Sequence, residues 1–320
     1  MPVPSSPARR RGGRLLRFLA ALVVMSAVAG YVVVQYLTGG SGGPVCRVAS
    51  GQVGGPSYEF TPEQTVNAAT ITAVGTGRGL PERAVAIALA TALQESGLRN
   101  IRHGDRDSLG LFQQRPSQGW GRPEQILDPA YAAGAFYKHL VKVRGYQELP
   151  LTVAAQKVQR SGYPEAYAKH EPDATVLAAA LTGTSAATLT CDGRTEPGVT
   201  QVGAAGPESV RSALVRDFGR DALETTAAEV GGKASPSPTP GPGDGRTVTL
   251  PVRKDTSRAG RSLEERGWQL AHWAVANSSA LRIERVSYAG RQWTAGNTDS
   301  RWLPEGGASG TATVRILTAR

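Results

Sequence analysis

The hydrophobic and polar positions between residues 57 and 183 follow a helical repeat. Thr61 and Pro62 have the form of an N-cap followed by proline at the first helical position, and apolar residues then recur at helical spacing. Between Pro81 and Gly97 apolar side chains lie on nearly all sides of a predicted second helix, so this helix is expected to be buried. Further helices are predicted over residues 129–140, 152–159, 164–170 and 174–181. No alternating strand pattern is evident, so the pattern predicts a mainly α-helical domain over residues 57–191.

Residues 246 to 320 show the mixed pattern of a small α/β domain. Strands are predicted over 247–250, 282–288 and 311–317, with a further short strand through Trp293 and a helix over 263–276. The connector at 192–245 contains one amphipathic helix over 208–218. It also contains a proline-rich stretch over 234–242 that cannot hold regular hydrogen-bonded structure. The C-terminal part is therefore predicted to be an accessory domain on a linker.

The N-terminal segment has the pattern of an exported protein. Residues 18–37 have no charged side chain, and 20 such residues in a helix span about 30 Å, the thickness of the hydrocarbon core. Arginines precede this run and none follows closely, so the positive-inside rule places the N-terminus in the cytoplasm. We predict a basic cytoplasmic tail (1–17), a single-pass plasma-membrane anchor (18–38) and a flexible glycine-rich tether (39–56). A signal peptide cleaved near Ala29 is the alternative, and it would also export the chain.

Charge and cysteine content restrict the function classes. The formal net charge is +10, but the basic residues form no dense face and no RNA-binding signature, so nucleic-acid binding is not expected. An exported basic protein is attracted instead to anionic wall polymers or lipid headgroups. The two cysteines, Cys46 and Cys191, flank the predicted helical domain, and outside the cell such a pair favours a disulfide. A catalytic thiol is the other interpretation, but neither cysteine lies in a motif with histidine.

The candidate for catalytic chemistry is Glu95, in the last turn of the predicted buried helix. The negative partial charge of a helix C-terminus and apolar neighbours both favour a protonated carboxyl group. A protonated acid is what cleavage of a glycosidic bond requires. The alternative without a function is that Glu95 is a solvated surface residue at a helix end. Motifs for zinc peptidases, serine hydrolases and phosphate binding are absent, so no metal or cofactor is expected.

Two short motifs around Glu95 carry a family resemblance. Glu95-Ser96 is followed by Ser108, by Gly110-Leu111-Phe112-Gln113 and by Pro116. This arrangement resembles the lysozyme-like lytic transglycosylases of the soluble lytic, goose-lysozyme-related kind, in which Glu-Ser precedes Gly-Leu-Met-Gln-x-x-Pro. The family's third motif, Tyr-Asn-x-Gly, corresponds to Gln159-Arg160-Ser161-Gly162, and Tyr167 falls where the family often has another tyrosine. The resemblance covers roughly residues 60–182 and extends to lysozyme-like domains of exported actinobacterial proteins.

The resemblance implies a lysozyme-like fold and a peptidoglycan substrate. Glu95 would protonate the glycosidic oxygen between N-acetylmuramic acid and N-acetylglucosamine, then activate the muramoyl 6-hydroxyl to give a 1,6-anhydro product. The substrate-binding residues that it implies are Ser108, Gly110, Leu111, Phe112, Gln113, Gln159, Arg160 and Tyr167. Trp120 either stacks on a sugar ring or belongs to the core. The expected partners are glycan strands of peptidoglycan, and the N-terminal helix would contact the membrane.

Departures from the family pattern leave alternatives open. Arg160 stands where the family has asparagine, and it would either weaken Glu95 as an acid or bind a peptide carboxylate. A hydrolase would need a second carboxylate, for which Asp105 and Asp107 are candidates, although both also fit a turn. The alternative from another class is a non-catalytic protein that keeps the fold to bind glycan strands or to scaffold an envelope assembly.

Overall fold

The computed structural model describes residue 25 and residues 44–163, 165–193, 206–219, 245–253, 260–296, 301–306 and 310–319. Apart from Met25, the predicted anchor at 18–38 lies outside these ranges, as do the basic tail and the proline-rich stretch at 234–242. Within the described ranges, no helix is both long and apolar enough to cross a membrane. The chain from Pro44 to Arg320 forms one compact unit.

Six α-helices are described between residues 57 and 191. They are α1 (Pro62–Gly77), α2 (Glu82–Ser96), α3 (Pro123–Ile126), α4 (Pro129–Leu140), α5 (Leu151–Gln159) and α6 (Glu171–Thr182). Short 3-10 turns lie at Pro116–Gln118 and Ala168–His170. The helix predicted over 164–170 was wrong, because only the turn at Ala168–His170 forms there.

The caps that the sequence predicts place α1 and α2. Thr61 and Gln64 form a capping box at the start of α1, each side chain bonding the other residue's backbone N–H, which satisfies two otherwise unpaired donors. Helix α2 ends at Gly97, whose φ of 62° is the left-handed conformation favoured by glycine. Helix α2 is buried along most of its length, as predicted, so its last turn is presented from a rigid element.

A small three-stranded sheet closes the helical part. This part is therefore mainly, but not purely, α-helical. Strands β1 (Cys46–Ala49), β2 (Ser57–Phe60) and β3 (Leu189–Cys191) pair antiparallel in the order β2-β1-β3. Three or four residues are too few to show a period of two, so the sequence pattern missed these strands. Strand β1 also falls within the segment predicted to be a flexible tether. Cys46 lies opposite Cys191 in the ladder, and the predicted disulfide between them is confirmed.

The C-terminal part is a five-stranded antiparallel sheet packed against one long helix. Helix α7 (Pro207–Phe218) precedes it in the chain. The elements of the C-terminal part are β4 (Thr247–Pro251), α8 (Leu263–Ala276), α9 (Ser278–Leu281), β5 (Ile283–Tyr288), β6 (Arg291–Thr294), β7 (Leu303–Pro304) and β8 (Thr313–Thr318). The strand order is β4-β8-β5-β6-β7. With the three-stranded sheet, this makes the described fold a mixed α/β structure.

The helical and C-terminal parts share one continuous core. The Gln269 side-chain amide donates to Thr76 Oγ1 at 2.7 Å, which joins α8 to the end of α1. At Gly183 a Cβ atom would lie 1.8 Å from the Glu265 carbonyl oxygen, so only glycine permits this approach of α8. Two indole N–H groups of the C-terminal part donate to the carbonyls of β3: Trp293 to Cys191, and Trp302 to Leu189. The described residues between 246 and 319 therefore pack against the helical part.

A buried carboxylate adds a third connection. The Asp217 side chain on α7 is fully buried and accepts hydrogen bonds from Thr70 on α1 at 3.3 Å and from the Trp273 indole on α8 at 2.8 Å. Arg216 forms an ion pair with it at 2.9 Å. A buried charge with several donors is costly to leave unpaired, so Asp217 fixes α1, α7 and α8 together.

Candidate functional site

Glu95 lies in the last turn of α2, and its carboxylate is held by two donors from other elements. The Tyr167 hydroxyl donates to Glu95 Oε1 at 2.7 Å. The Gln159 side-chain amide donates to the same oxygen at 3.2 Å. The structure thus brings together three residues that the sequence predicted to share a site. Both donors bond Oε1, and among the described residues no hydrogen bond reaches the other oxygen, Oε2.

Tyr167 is a hydrogen-bond donor to Glu95. It is fully buried, and burial together with the neighbouring Glu95 carboxylate raises its pKa above the ordinary value. The phenol therefore keeps its proton across the physiological range. Tyr167 precedes the 3-10 turn at Ala168–His170, which leads into α6. Its hydroxyl is thus positioned by the core and not by an exposed loop.

Gln159 bridges the carboxylate to the neighbouring backbone. Its Nε2 also donates to the Phe112 carbonyl oxygen at 2.8 Å. The side chain therefore has both its donors engaged within the protein, and it contacts Glu95 directly where the sequence predicted a substrate contact. The next residue, Arg160, caps α5 in the left-handed conformation with φ 53° and is exposed. In the described part of the chain, Arg160 forms no ion pair with Glu95.

Ser96 ties the Glu95 turn to the Gly-Leu-Phe-Gln segment. Its buried hydroxyl lies 2.8 Å from the Leu111 carbonyl and 3.1 Å from the Ala92 carbonyl. The motif therefore has a physical explanation, because the serine fixes the spacing between its two halves. Sequence reasoning did not assign this role. A serine in a last helical turn commonly bonds back to its own helix, and the second acceptor, 15 residues later, has no sequence signal.

The segment from Gly110 to Gln113 positions backbone and buries side chains. A Cβ atom at Gly110, where φ is +73°, would lie 2.7 Å from the Ile126 carbonyl oxygen, so the turn requires glycine. Leu111 and Phe112 are fully buried, and Phe112 stacks on Phe136 with ring centroids 4.8 Å apart. Both were predicted to contact substrate, but their side chains pack in the core because the turn directs them inward.

The remaining predicted contacts on this segment are small or partly exposed. Ser108 is buried, and its backbone N–H donates to the Asp105 carbonyl at 3.1 Å. Gln113 is half-buried, and its amide donates to the Gly110 carbonyl at 3.1 Å. Among these residues, Gln113 alone keeps an accessible polar side chain.

The two candidate second carboxylates are turn residues. Asp107 accepts from the Arg115 guanidinium at 2.7 Å and from the Ser117 backbone N–H at 2.8 Å. Hydrogen bonds from Ser117 have the largest effect on the pKa of Asp107, followed by the one from Arg115, and together they hold this pKa well below its usual range. Asp105 is almost fully exposed and lies 3.9 Å from Arg106. Asp107 thus stays ionised and holds its loop, while Asp105 faces solvent.

Trp120 packs partly against the core, which was one of the two roles that the sequence left open. It is half-buried against the core, and its ring lies 4.4 Å from that of His139, measured between centroids. The Tyr131 hydroxyl donates to its carbonyl at 3.3 Å. One ring face is therefore taken by His139, and part of the indole stays accessible.

A cleft of about 340 Å³ lies elsewhere, where α1, α3, α4 and α7 meet. Its lining residues are Val66, Asn67, Thr70, Glu124, Leu127, Asp128, Pro129 and Arg216. It shares no residue with the Glu95 site. Across the described ranges, no three acidic, histidine or cysteine side chains are grouped so as to hold a metal ion.

No protein-family model matches this chain, and comparison with characterised proteins gives no significant match.

Proposed function

We propose that this chain is a peptidoglycan-cleaving enzyme of the lytic transglycosylase or muramidase type with a lysozyme-like helical domain. The observation that carries the proposal is the geometry at Glu95. One oxygen of its carboxylate is fixed by Tyr167 and Gln159, and the other is left for a ligand. A single carboxyl group in a fixed orientation is what intramolecular glycan cleavage needs, because the sugar supplies its own nucleophile.

In the proposed reaction, the protonated carboxyl group of Glu95 donates its proton to the glycosidic oxygen that leaves with N-acetylglucosamine. The bond from this oxygen to C1 of N-acetylmuramic acid breaks. The carboxylate then takes the proton of the muramoyl 6-hydroxyl, whose oxygen bonds to C1. The product is a 1,6-anhydro ring, water is not consumed, and Glu95 regains its proton.

The arrangement of the second carboxylates supports this reaction over hydrolysis. Both oxygens of Asp107 accept bonds that maintain its own loop, and Asp105 is almost fully exposed. A hydrolase of the usual kind needs a second carboxylate poised across the scissile bond. Neither aspartate has the contacts expected of that residue.

The proposed location is the outer face of the plasma membrane, with residues 18–38 as a single anchor and the N-terminus in the cytoplasm. Secretion after cleavage near Ala29 is the alternative. Either location supplies the oxidising surroundings in which the disulfide between Cys46 and Cys191 persists.

One observation favours a second candidate, a glycan-binding or scaffold protein without turnover. The family's Tyr-Asn pair is replaced by Gln159 and Arg160, and the Gln159 amide is used within the protein. A site rebuilt in this way can keep the fold and lose the chemistry.

The test is to incubate residues 44–320 and the matched Glu95→Gln variant with purified peptidoglycan and to analyse the soluble products by mass spectrometry. Anhydro-muropeptides from the parent chain and none from the variant support the transglycosylase. Reducing-end products would replace it with a hydrolase. Retained binding without any release would support the scaffold.

A further inference from the structure

The segment that runs from α4 to the end of α5 carries a marked excess of positive charge. Residues 129–160 contain five cationic side chains and one acidic one, Glu148. The cations are Lys138, Lys142, Arg144, Lys157 and Arg160. All five are exposed, and none forms an ion pair within the part of the chain that the structure describes. Cations near helix C-termini stabilise helices. Helix stabilisation alone does not require cations at the ends of two neighbouring helices to lie close together.

Three of these cations, Lys138, Lys142 and Arg160, converge around His139; we call them the cationic edge. Lys138 and Lys142 flank His139 along the chain at the C-terminal end of α4, and Arg160 ends α5. In agreement with this placement, burial and then the positive charges of Lys142, Lys138 and Arg160 lower the pKa of His139. The ring of His139 in turn contacts that of Trp120 in a tilted arrangement. The cationic edge therefore surrounds a partly exposed aromatic pair.

The cationic edge adjoins Glu95 through a short series of contacts. Arg160 directly follows Gln159, whose amide bonds Glu95 Oε1 and the Phe112 carbonyl. Phe112 stacks on Phe136, which lies one helical turn before His139 on α4. The end of α5 thus contacts the Glu95 turn through Gln159, and Phe112 joins this contact to the last part of α4.

We propose that the cationic edge is a specificity subsite that binds a carboxylate carried by the muramoyl sugar next to the bond that Glu95 cleaves. This inference rests on the proposed function. An aromatic face suits the apolar face of a sugar ring, and guanidinium and ammonium groups suit a carboxylate held at its side. Neutral glycans such as chitin lack that group and would be discriminated against.

The shared chemistry, a carboxylate on the sugar, has two sources. One is the lactyl carboxylate of strands without stem peptides, and the other is the free carboxylates of attached stem peptides. Both occur on muramoyl residues and on no other sugar of the strand, so either would set the register of the strand across Glu95.

The experiment measures binding and cleavage separately on the chain from residue 44. Binding is measured with the Glu95→Gln variant, alone and combined with Arg160→Gln and Lys142→Gln, on three kinds of soluble strand. These are intact strands, strands without peptides, and strands whose carboxyl groups are methylamidated. The control is Glu95→Gln with Arg285→Gln, which removes an exposed cation from β5.

We expect loss of the two cations to weaken binding to carboxylate-bearing strands by roughly threefold to tenfold and to reduce the salt dependence. Methylamidated strands should bind equally weakly with or without the cations, and the control should bind as tightly as the parent. If the substitutions still weaken binding to strands without peptides, the lactyl carboxylate is the ligand. If they no longer weaken it, the ligand is a carboxylate of the stem peptides. Equal binding of both variants to all strands would overturn the subsite.

Failure of the subsite and failure of the proposed function can be told apart. If the parent releases no products but its binding depends on the cations and carboxylates, the enzyme proposal fails, and the cationic edge is a carboxylate-binding site of a glycan-binding protein. If anhydro-products form and binding depends neither on the cations nor on the carboxylates, only the subsite proposal fails.

Discussion

His272 makes the stability of the fold depend on pH at the contact between α8 and α6. The ring is fully buried between Trp268 and Trp302, and its Nδ1 lies 2.7 Å from the Ala180 carbonyl. Since a carbonyl only accepts, Nδ1 carries the proton of the neutral ring. Nε2 then has no partner in the core. A second proton on Nε2 would create a buried charge and an unsatisfied donor.

The magnitude follows from the pKa. Burial lowers the pKa of His272 from 6.5 to about 4. At about 1.4 kcal/mol per pH unit, this difference is worth about 3.5 kcal/mol of unfolding free energy. Below pH 6.5 the unfolded chain binds a proton that the folded chain refuses, so stability falls as the pH falls. The loss begins near pH 6.5, reaches about 2 kcal/mol at pH 5, and is complete below about pH 4.

Guanidinium unfolding followed by tryptophan fluorescence at pH 8 and pH 5 measures this effect. Other groups titrate in the same range, so the test compares the parent with His272→Asn, which keeps a donor for Ala180 and cannot become charged. The parent should lose about 2 kcal/mol more than the variant between the two pH values. Equal losses would refute the assignment of the pH dependence to His272.

Four further outcomes follow from the geometry. Tyr167→Phe removes a donor 2.7 Å from Glu95, so the rate of anhydro-product release should fall about tenfold or more with little change in KM; an unchanged rate would show that the hydroxyl is dispensable. Ser96→Ala leaves the Leu111 carbonyl without its side-chain donor and should lower the unfolding free energy by about 1–3 kcal/mol in urea titrations, whereas no change would mean that water replaces the hydroxyl. Reducing the disulfide, whose cysteines are 145 residues apart, should cost up to about 5 kcal/mol, seen as a lower guanidinium midpoint with dithiothreitol, and an equal midpoint would contradict this. A chain ending at residue 245 should give no cooperative melting by circular dichroism, because Thr76, Ala180 and Leu189 lose their partners; a normal transition would show that the helical part folds alone.

Much of the helical structure was predictable because its signals are local. The Thr61 capping box, the Gly97 stop and the apolar surface of α2 are all contained within a few consecutive residues. Strands β4 and β8 of the C-terminal sheet alternate over five and six residues, which is enough for a period of two to show. Strands β1 and β3 are shorter, and their pairing depends on residues about 145 positions apart.

The site was predictable in its residues and not in their roles. Glu95, Gln159 and Tyr167 were identified from motifs, and the structure brings them together. The same motif placed Leu111 and Phe112 against substrate, although a turn directs their side chains into the core. Which way a side chain points in a tight turn depends on φ values such as the +73° at Gly110, and composition does not reveal them.

The contact of the C-terminal part with the helical part also sets the order in which the chain can fold. Gln269 bonds Thr76 across 193 positions, and β1 pairs with β3 across about 145. Folding slows as contacting residues become more distant in sequence, because loop closure is costly before the contact forms. During synthesis, α1 and α6 cannot pack against α8 until residue 276 has left the ribosome. The apolar surfaces that α8 covers on these helices stay exposed until then. We therefore expect slow, late folding for this chain, with a long interval in which a chaperone has an exposed surface to bind.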